Sequence, residues 1–460
     1  NIPVDKNGIF CGQKSSPSCV FSTCGKLSNY SEIFSYLPTG GSTGLILDFQ
    51  GLSRFFHKFT VPTTKTTDFF YIFLYLRFIH TERKLSTTMK LSFQKSSLLN
   101  GINIVLKAVP SKTTMPILEC ILIDAGGEEI KLTANDMELG IETKVEGTIL
   151  EHGKIALDAK LFSEIIRKLS NEDSLVTIES DDRFNTVISC ENSVFRIQGK
   201  DGEEFSYLPE IERNQYICLS QFTLKELIRQ TLFSISVNDS NKMMTGELFE
   251  VNGNTLRVVS LDGHRLSIRK VVLKDTYENT KVIVPGKTLN EISKILMGDN
   301  EKEVLIFFGA NHILFEFDDT IVVSRLIEGE YFRVDQMLSN DYTTKVSVNK
   351  KEFLDCIERA SILIRENDKK PIIFTIEDSK MSLKLNSSFG TMNAEILIHK
   401  TGQDLMIGFN PKFLSDALRV IDDEEVTLYM MNAKSPCFIK DEEETYIYLI
   451  LPVNFNAATV

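Results

Sequence analysis

The chain has 460 residues, of which 42% are apolar and 25% charged, and a formal net charge of −12. That length allows several cored domains, and the acidic balance excludes a uniformly basic nucleic-acid binder, leaving room only for a local basic stripe. Eight cysteines form no CxxC pair and no Cys/His spacing suited to zinc, so thiols of a reducing cytoplasm are expected; the longest apolar candidate, residues 69–79, is short and cut by Arg77, so no membrane span is expected.

Residues 1–88 hold nine Lys/Arg against five Asp/Glu, three of the eight cysteines and 11 of the 31 phenylalanines, but no methionine. They lack sustained helical or strand periodicity and the ordered parts of a signal peptide. We expect this non-homologous extension to be translated upstream sequence with Met89 as the true start, the rival reading being a genuine species-specific extension; an intact mass of the native protein that includes residues 1–88 would decide for the rival. The remaining 89–460 carry 42 basic against 58 acidic residues, a net of −16.

From Met89 onward one pattern recurs six times: an alternating strand, a short helix, then three more strands. The opening strands are read at Leu91/Phe93, Ile155/Leu157, Ile217/Leu219, Val282/Val284, Val346/Val348 and Leu405/Ile407/Phe409, where period two marks half-buried strands. Each helix is aligned on an apolar anchor, Leu99, Phe162, Leu224, Leu289, Phe353 or Leu414, at spacings of 63, 62, 65, 64 and 61 residues. Three positions on stand Ile102, Ile165, Leu227, Ile292, Cys356 and Ala417, which gives every helix one face to bury. Pairs of copies form domains at 89–213, 214–340 and 341–460. The expected fold is α+β: three similar domains, each of two β-α-β-β-β units, with sheets outside and helices lining the hole of a ring.

The exposed helix faces repeat cations. Lys160, Lys287, Lys351 and Lys412 precede their anchors by two; Arg167, Arg229, Lys294 and Arg419 follow by five, with Arg359 and Lys107 near the equivalent turns. Recurrence within an acidic body points to a basic inner surface that attracts a phosphate backbone without reading bases. Asp262, His264 and Ser267 invite a hydrolase triad, but strand alternation turns His264 and Ser267 to opposite faces. No nucleophile elbow, phosphate loop, dinucleotide fingerprint or HExxH helix is present, and no catalytic residue, metal or cofactor is expected. A scaffold that binds only proteins is the other reading, separable by whether binding to DNA depends on a closed circle.

Asp262-Gly263-His264-Arg265-Leu266-Ser267, Met115-Pro116-Ile117-Leu118, Ile407-Gly408-Phe409-Asn410 and Tyr448-Leu449-Ile450-Leu451-Pro452-Val453 together resemble the bacterial DNA polymerase III beta subunit, the replication sliding clamp, from residue 89 to about 455. The resemblance implies a cytoplasmic, non-catalytic processivity factor: a head-to-tail homodimer ringing double-stranded DNA. Its partners would be the replicative polymerase, the clamp loader and repair polymerases, docking through short peptide motifs. It implies a dimer contact at Phe195, Ile197 and Leu363. It implies a peptide pocket lined by Met244, Leu261, Gly263, His264, Arg265, Leu266, Met337, Leu449, Leu451, Pro452 and Val453. It implies DNA contacts from Lys112, Asn238, Lys242, Lys287, Arg365, Lys369, Lys370 and Asn410. Phe332 stands where proline is common in the family and Asn454 where a basic residue is frequent, and a tail from Phe455 to Val460 overruns the usual end close to the pocket.

Overall fold

The structure, a computed structural model, describes residues 89–237, 241–365 and 370–455. The sequence expectations for residues 1–88, Asn238, Lys369 and the tail beyond Phe455 lie outside the described residues.

Six α-helices recur at the expected positions: α1 (Lys95–Val105), α2 (Ala159–Lys168), α3 (Gln221–Thr231), α4 (Gly286–Ile295), α5 (Lys350–Ser361) and α6 (Pro411–Val420). Local chemistry starts most of them. Asp158, Ser220, Asn349 and Asn410 each accept a backbone N–H of their helix's first turn through the side chain, satisfying one of its orphan donors. The anchors Phe162, Leu224, Leu289, Phe353 and Leu414 are fully buried.

The first anchor corrects the sequence reading: Leu98 is buried, whereas Leu99 is only partly so. The reason is Gly101, which then stands three residues after the anchor. A Cβ there would lie 2.4 Å from Val145 Cγ2, so only glycine lets the strand Leu139–Val145 pack this close to α1. With that register the buried trio Leu98, Gly101 and Ile102 matches Leu414, Ala417 and Leu418 in the last copy.

Within the first and third domains the two copies exchange their opening strands. Met89–Gln94, from the first copy, pairs with Leu175–Ser180 of the second, and Lys154–Asp158 of the second pairs with Cys120–Asp124 of the first. Thr344–Asn349 likewise pairs with Glu425–Met430, and Leu405–Phe409 with Ile372–Glu377. In the second domain Tyr216–Ser220 pairs with Glu303–Phe308. Single copies therefore cannot complete a sheet, which is why the domains are pairs.

Each domain is tied again at its helices. Lys95 Nζ donates to Leu169 O at 2.7 Å, Lys225 Nζ to Leu296 O at 2.8 Å and Lys350 Nζ to Ile421 O at 2.7 Å. In every case a lysine of the domain's first helix caps the carbonyl end of its second, where the helix dipole is negative.

Sheets also cross the domain boundaries. Leu139–Val145 pairs antiparallel with Thr320–Arg325 over five residue pairs, making one nine-stranded sheet from the first and second domains. Arg265–Pro285 pairs with Tyr446–Ile450, again over five, joining the second domain to the third in a seven-stranded sheet. Both seams obey one rule once Gly246–Leu261, whose pairing breaks at Gly253, is counted as two strands: the last strand of an even copy meets the third strand after the helix of an odd copy. Two such strands stay unpaired on one side, Ser193–Gln198 at the edge of a five-stranded sheet and Gly390–Leu397 at the edge of a four-stranded one.

Candidate functional site

At the seam between the second and third domains, one row of apolar residues crosses four strands. Leu261 faces Leu266 across the hairpin Gly246–Leu261 / Arg265–Pro285, Leu266 faces Leu449, and Leu449 faces Phe438. Period two puts all four on the same side of the sheet, where they join Leu248, Val259, Val334 and Ile447 in a satellite core with Met244, Tyr331 and Phe332 packed against it. Leu261, Leu266 and Leu449, expected to line a pocket, are buried in this core.

The rim is made by the hairpin turn and the chain's exit. Asp262 Oδ1 accepts from His264 N at 2.9 Å and Arg265 N at 3.1 Å, and Gly263 takes φ +86°, a left-handed value that favours glycine. This turn leaves His264 exposed, its ring 6.0 Å from that of Phe413 on α6. Leu451 N donates to His264 O at 2.9 Å, fixing Leu451, Pro452 and Val453 alongside. Leu451 and Met337 are exposed, Pro452 and Val453 half-buried. The result is an apolar, Met-edged surface with a few polar atoms, suited to a Leu or Phe side chain of an extended peptide.

Arg265 does something else. It is 8% exposed and its guanidinium donates to Asp262 Oδ2 at 3.0 Å, to Asp416 Oδ2 at 2.7 Å and to Phe233 O, while covering the Phe413 ring at 4.7 Å. It is a positioning residue that holds α6 to the hairpin and leaves little for a ligand. Phe413 and Asp416 escaped the sequence reading; the signal was a phenylalanine beside the α6 anchor, in a helix whose core positions were already filled.

A hydrolytic triad is absent from this turn. Asp262 is engaged with Arg265, and Ser267 is buried with its hydroxyl 2.5 Å from Ser234 Oγ.

The tail begins by folding back. Val453 N donates to Gly408 O at 2.8 Å, and a Cβ on Gly408 would come within 2.8 Å of Phe455 Cδ1. Asn410, expected to face DNA, stands two residues beyond Gly408 and caps α6 by accepting the backbone N–H of Lys412.

The other expected DNA residues divide. Lys112, Lys242 and Lys370 are exposed, and Arg365 lies over the Phe389 ring at 4.4 Å. Lys287 is ion-paired to Asp136 of the first domain.

At the unpaired edges, Phe195 is 37% exposed, Ile197 half-buried, and Leu363 packs near Gly390 at the start of the opposite free strand. Leu397 and Ile362, not anticipated from sequence, are the most exposed large apolar residues there, at 71% and 80%.

Among the described residues no His/Cys/Asp/Glu group suits a metal ion, and no helix is long and apolar enough to cross a membrane.

Comparison with known proteins gives a consistent outcome. Residues 89–209, 218–332 and 335–454 match the models of the N-terminal, central and C-terminal domains of the DNA polymerase III beta subunit. The chain is 35% identical over 376 residues to a beta sliding clamp of Staphylococcus aureus, covering 79% of this chain and 99% of that protein. A crystal structure from Eubacterium rectale, described as a DNA polymerase III beta subunit, is 65% identical with a TM-score of 0.78, covering 80% of this chain and all of that one. The DNA polymerase sliding clamp of Bacillus subtilis is 34% identical with a TM-score of 0.77 at the same coverage.

Proposed function

The chain belongs to the DNA polymerase III beta subunit family, the bacterial beta sliding clamps, and on that premise we propose that two copies close head to tail around duplex DNA and receive partner peptides at the seam of the second and third domains. The protein is a non-catalytic DNA sliding clamp, a processivity factor working with a DNA polymerase.

The observation that carries the ring is the seam rule. Two even-odd strand pairings are made inside the chain, and the third pair of strands, Ser193–Gln198 and Gly390–Leu397, is left with open edges. In a second copy they find each other: first domain against third, antiparallel, twice per ring. A contact of this kind closes after two subunits and leaves neither of these two edges open. Phe195, Ile197 and Leu363 then lie in the contact, with Leu397 and Ile362 beside them.

The pocket would be entered by short motifs from the replicative polymerase, the clamp loader and repair polymerases. Its buried leucines, exposed rim and adaptable methionines support that use. The DNA contact is electrostatic and indifferent to sequence.

Solution mass and DNA topology test the ring together. A dimer loaded on a nicked circle is expected to stay bound at high salt and to leave once the circle is cut. A monomer at every concentration, or retention unchanged by linearisation, overturns the proposal.

A further inference from the structure

We infer that the phosphate backbone is held chiefly by the first domain, and that most of the repeated helix cations of the other two domains are ties within the chain. The inference rests on the clamp reading and concerns which of its cations remain available.

Although the six helices look alike in sequence, their cations have different fates. On α3, Arg229 contacts Glu226 at 2.9 Å and Asp422 at 2.8 Å, and Lys225 caps α4. On α4, Lys287 pairs with Asp136 across the domain seam, and Lys294 with Glu291 at 2.7 Å. On α6, Lys412 pairs with Asp416 at 3.0 Å and Arg419 with Glu358 at 2.8 Å. On α5, Lys350 caps α6, and the exposed Lys351 and Arg359 share their helix with Glu352, Asp355 and Glu358, so that α5 sums to no net charge.

The first domain differs. The outer face of α1 and its short extension presents Ser96, Asn100, Asn103 and Lys107, with no carboxylate among them. On α2, Lys160, Arg167 and Lys168 are all exposed and make no ion pair among the described residues, with Glu164 the sole acid of the helix. At 100° per residue Lys160, Arg167 and Lys168 span an arc of about 100°, opposite the buried Phe162, Ile165 and Ile166, with Glu164 inside the same arc, so this face keeps three cations against one acid. The two helices pack on each other, so their outer faces form one surface.

A cation already paired with a carboxylate presents little net charge to a phosphate and displaces few DNA counterions, while an unpaired one counts fully toward the salt dependence. In a two-subunit ring, the surface occurs twice, giving two basic arcs separated by nearly neutral ones.

The test is a pair of triple variants of the full chain, Lys160→Gln/Arg167→Gln/Lys168→Gln against Lys287→Gln/Lys294→Gln/Arg419→Gln, titrated with fluorescent duplex over a salt series. The first should lose about 10-fold or more in affinity and flatten the slope of log K against log salt by about 2 or more, with an unchanged melting temperature. The second should bind within about 2-fold of the parent with the parent's slope and melt lower. Equal losses in the two, or the larger loss in the second, overturn the inference. Failure of the parent itself to bind duplex instead overturns the clamp reading.

Discussion

The seams inside the chain and the strand edges left open are made from the same repeated strands, but their side chains differ in kind. At the inner seams buried apolar pairs such as Ile141–Val322 and Leu266–Leu449 are joined by polar ties: Thr143 and Thr320 hydroxyls meet at 2.9 Å, Arg265 joins Asp416, Arg229 joins Asp422 and Lys287 joins Asp136. At the open edges the exposed side chains include the large apolar Val194, Phe195, Ile362, Phe389 and Leu397. Domains on one chain are always near each other, so a seam there can add to its apolar packing directional bonds that fix register. Edges that must find another molecule need apolar area to offset the lost freedom of association.

Breaking the apolar edge should have the largest effect. Phe195→Asp with Ile197→Asp is expected to raise the dimer dissociation constant at least about 1,000-fold, read by sedimentation, with each subunit still folded by circular dichroism. A dimer of unchanged affinity would remove the contrast between the two kinds of seam.

Arg265→Ala comes next. It leaves Asp262 without a cation and Asp416 with Lys412 as its remaining close partner, both carboxylates being largely buried, and should cost about 3 kcal/mol in urea unfolding. Lower peptide affinity should accompany it, because the hairpin turn that carries His264 loses its hold on α6.

Glu247 gives a pH-dependent test of the same region. It is fully buried on the strand Gly246–Leu261 with both carboxyl oxygens lacking a hydrogen-bond partner, and burial pushes its pKa up to about 8, opposed by the Thr231 hydroxyl. Tyr331, facing it, is pushed up by burial and then by the nearby carboxyl. The folded state therefore holds a proton that the unfolded chain releases above its ordinary value of 4.5. Stability from this group is full below that pH and lost as pH rises toward about 8. Glu247→Gln should gain on the parent in melting temperature as pH rises from 5 to 9; a constant difference would mean that Glu247 does not titrate in that window.

The smallest effect is expected at the inner seam. Thr143→Val strands the Thr320 hydroxyl and should cost about 1 kcal/mol, while the double replacement with Thr320→Val should recover most of it, measured by thermal melts of all three variants.

Where one residue's neighbours in sequence set its role, the sequence was readable. Period two and the i, i+3 spacing located the strands and five of six anchors, because burial follows from local geometry. Leu98 and Leu99 are chemically equal, and the choice between them lay with Gly101 and a strand more than 30 residues on. The pocket's turn was legible in Asp262-Gly263-His264; the burial of Arg265 was not, since its counter-charge Asp416 sits 151 residues away. Separations of 151 and 193 residues hid Asp136 from Lys287 and Asp422 from Arg229, so the helix cations looked equivalent when they are not.

The exchange of opening strands also sets a timetable for synthesis. A ribosome that has released the first copy has released a strand, Met89–Gln94, with only the short Thr148–Glu151 on one side and its longer partner Leu175–Ser180 still to come, and the amine of Lys95 awaits the carbonyl of Leu169. Nascent chain therefore accumulates unpaired apolar strand for half a domain at a time and discharges it only when the second copy emerges. Folding should advance in three steps instead of six, with the exposure to chaperones greatest just before each step.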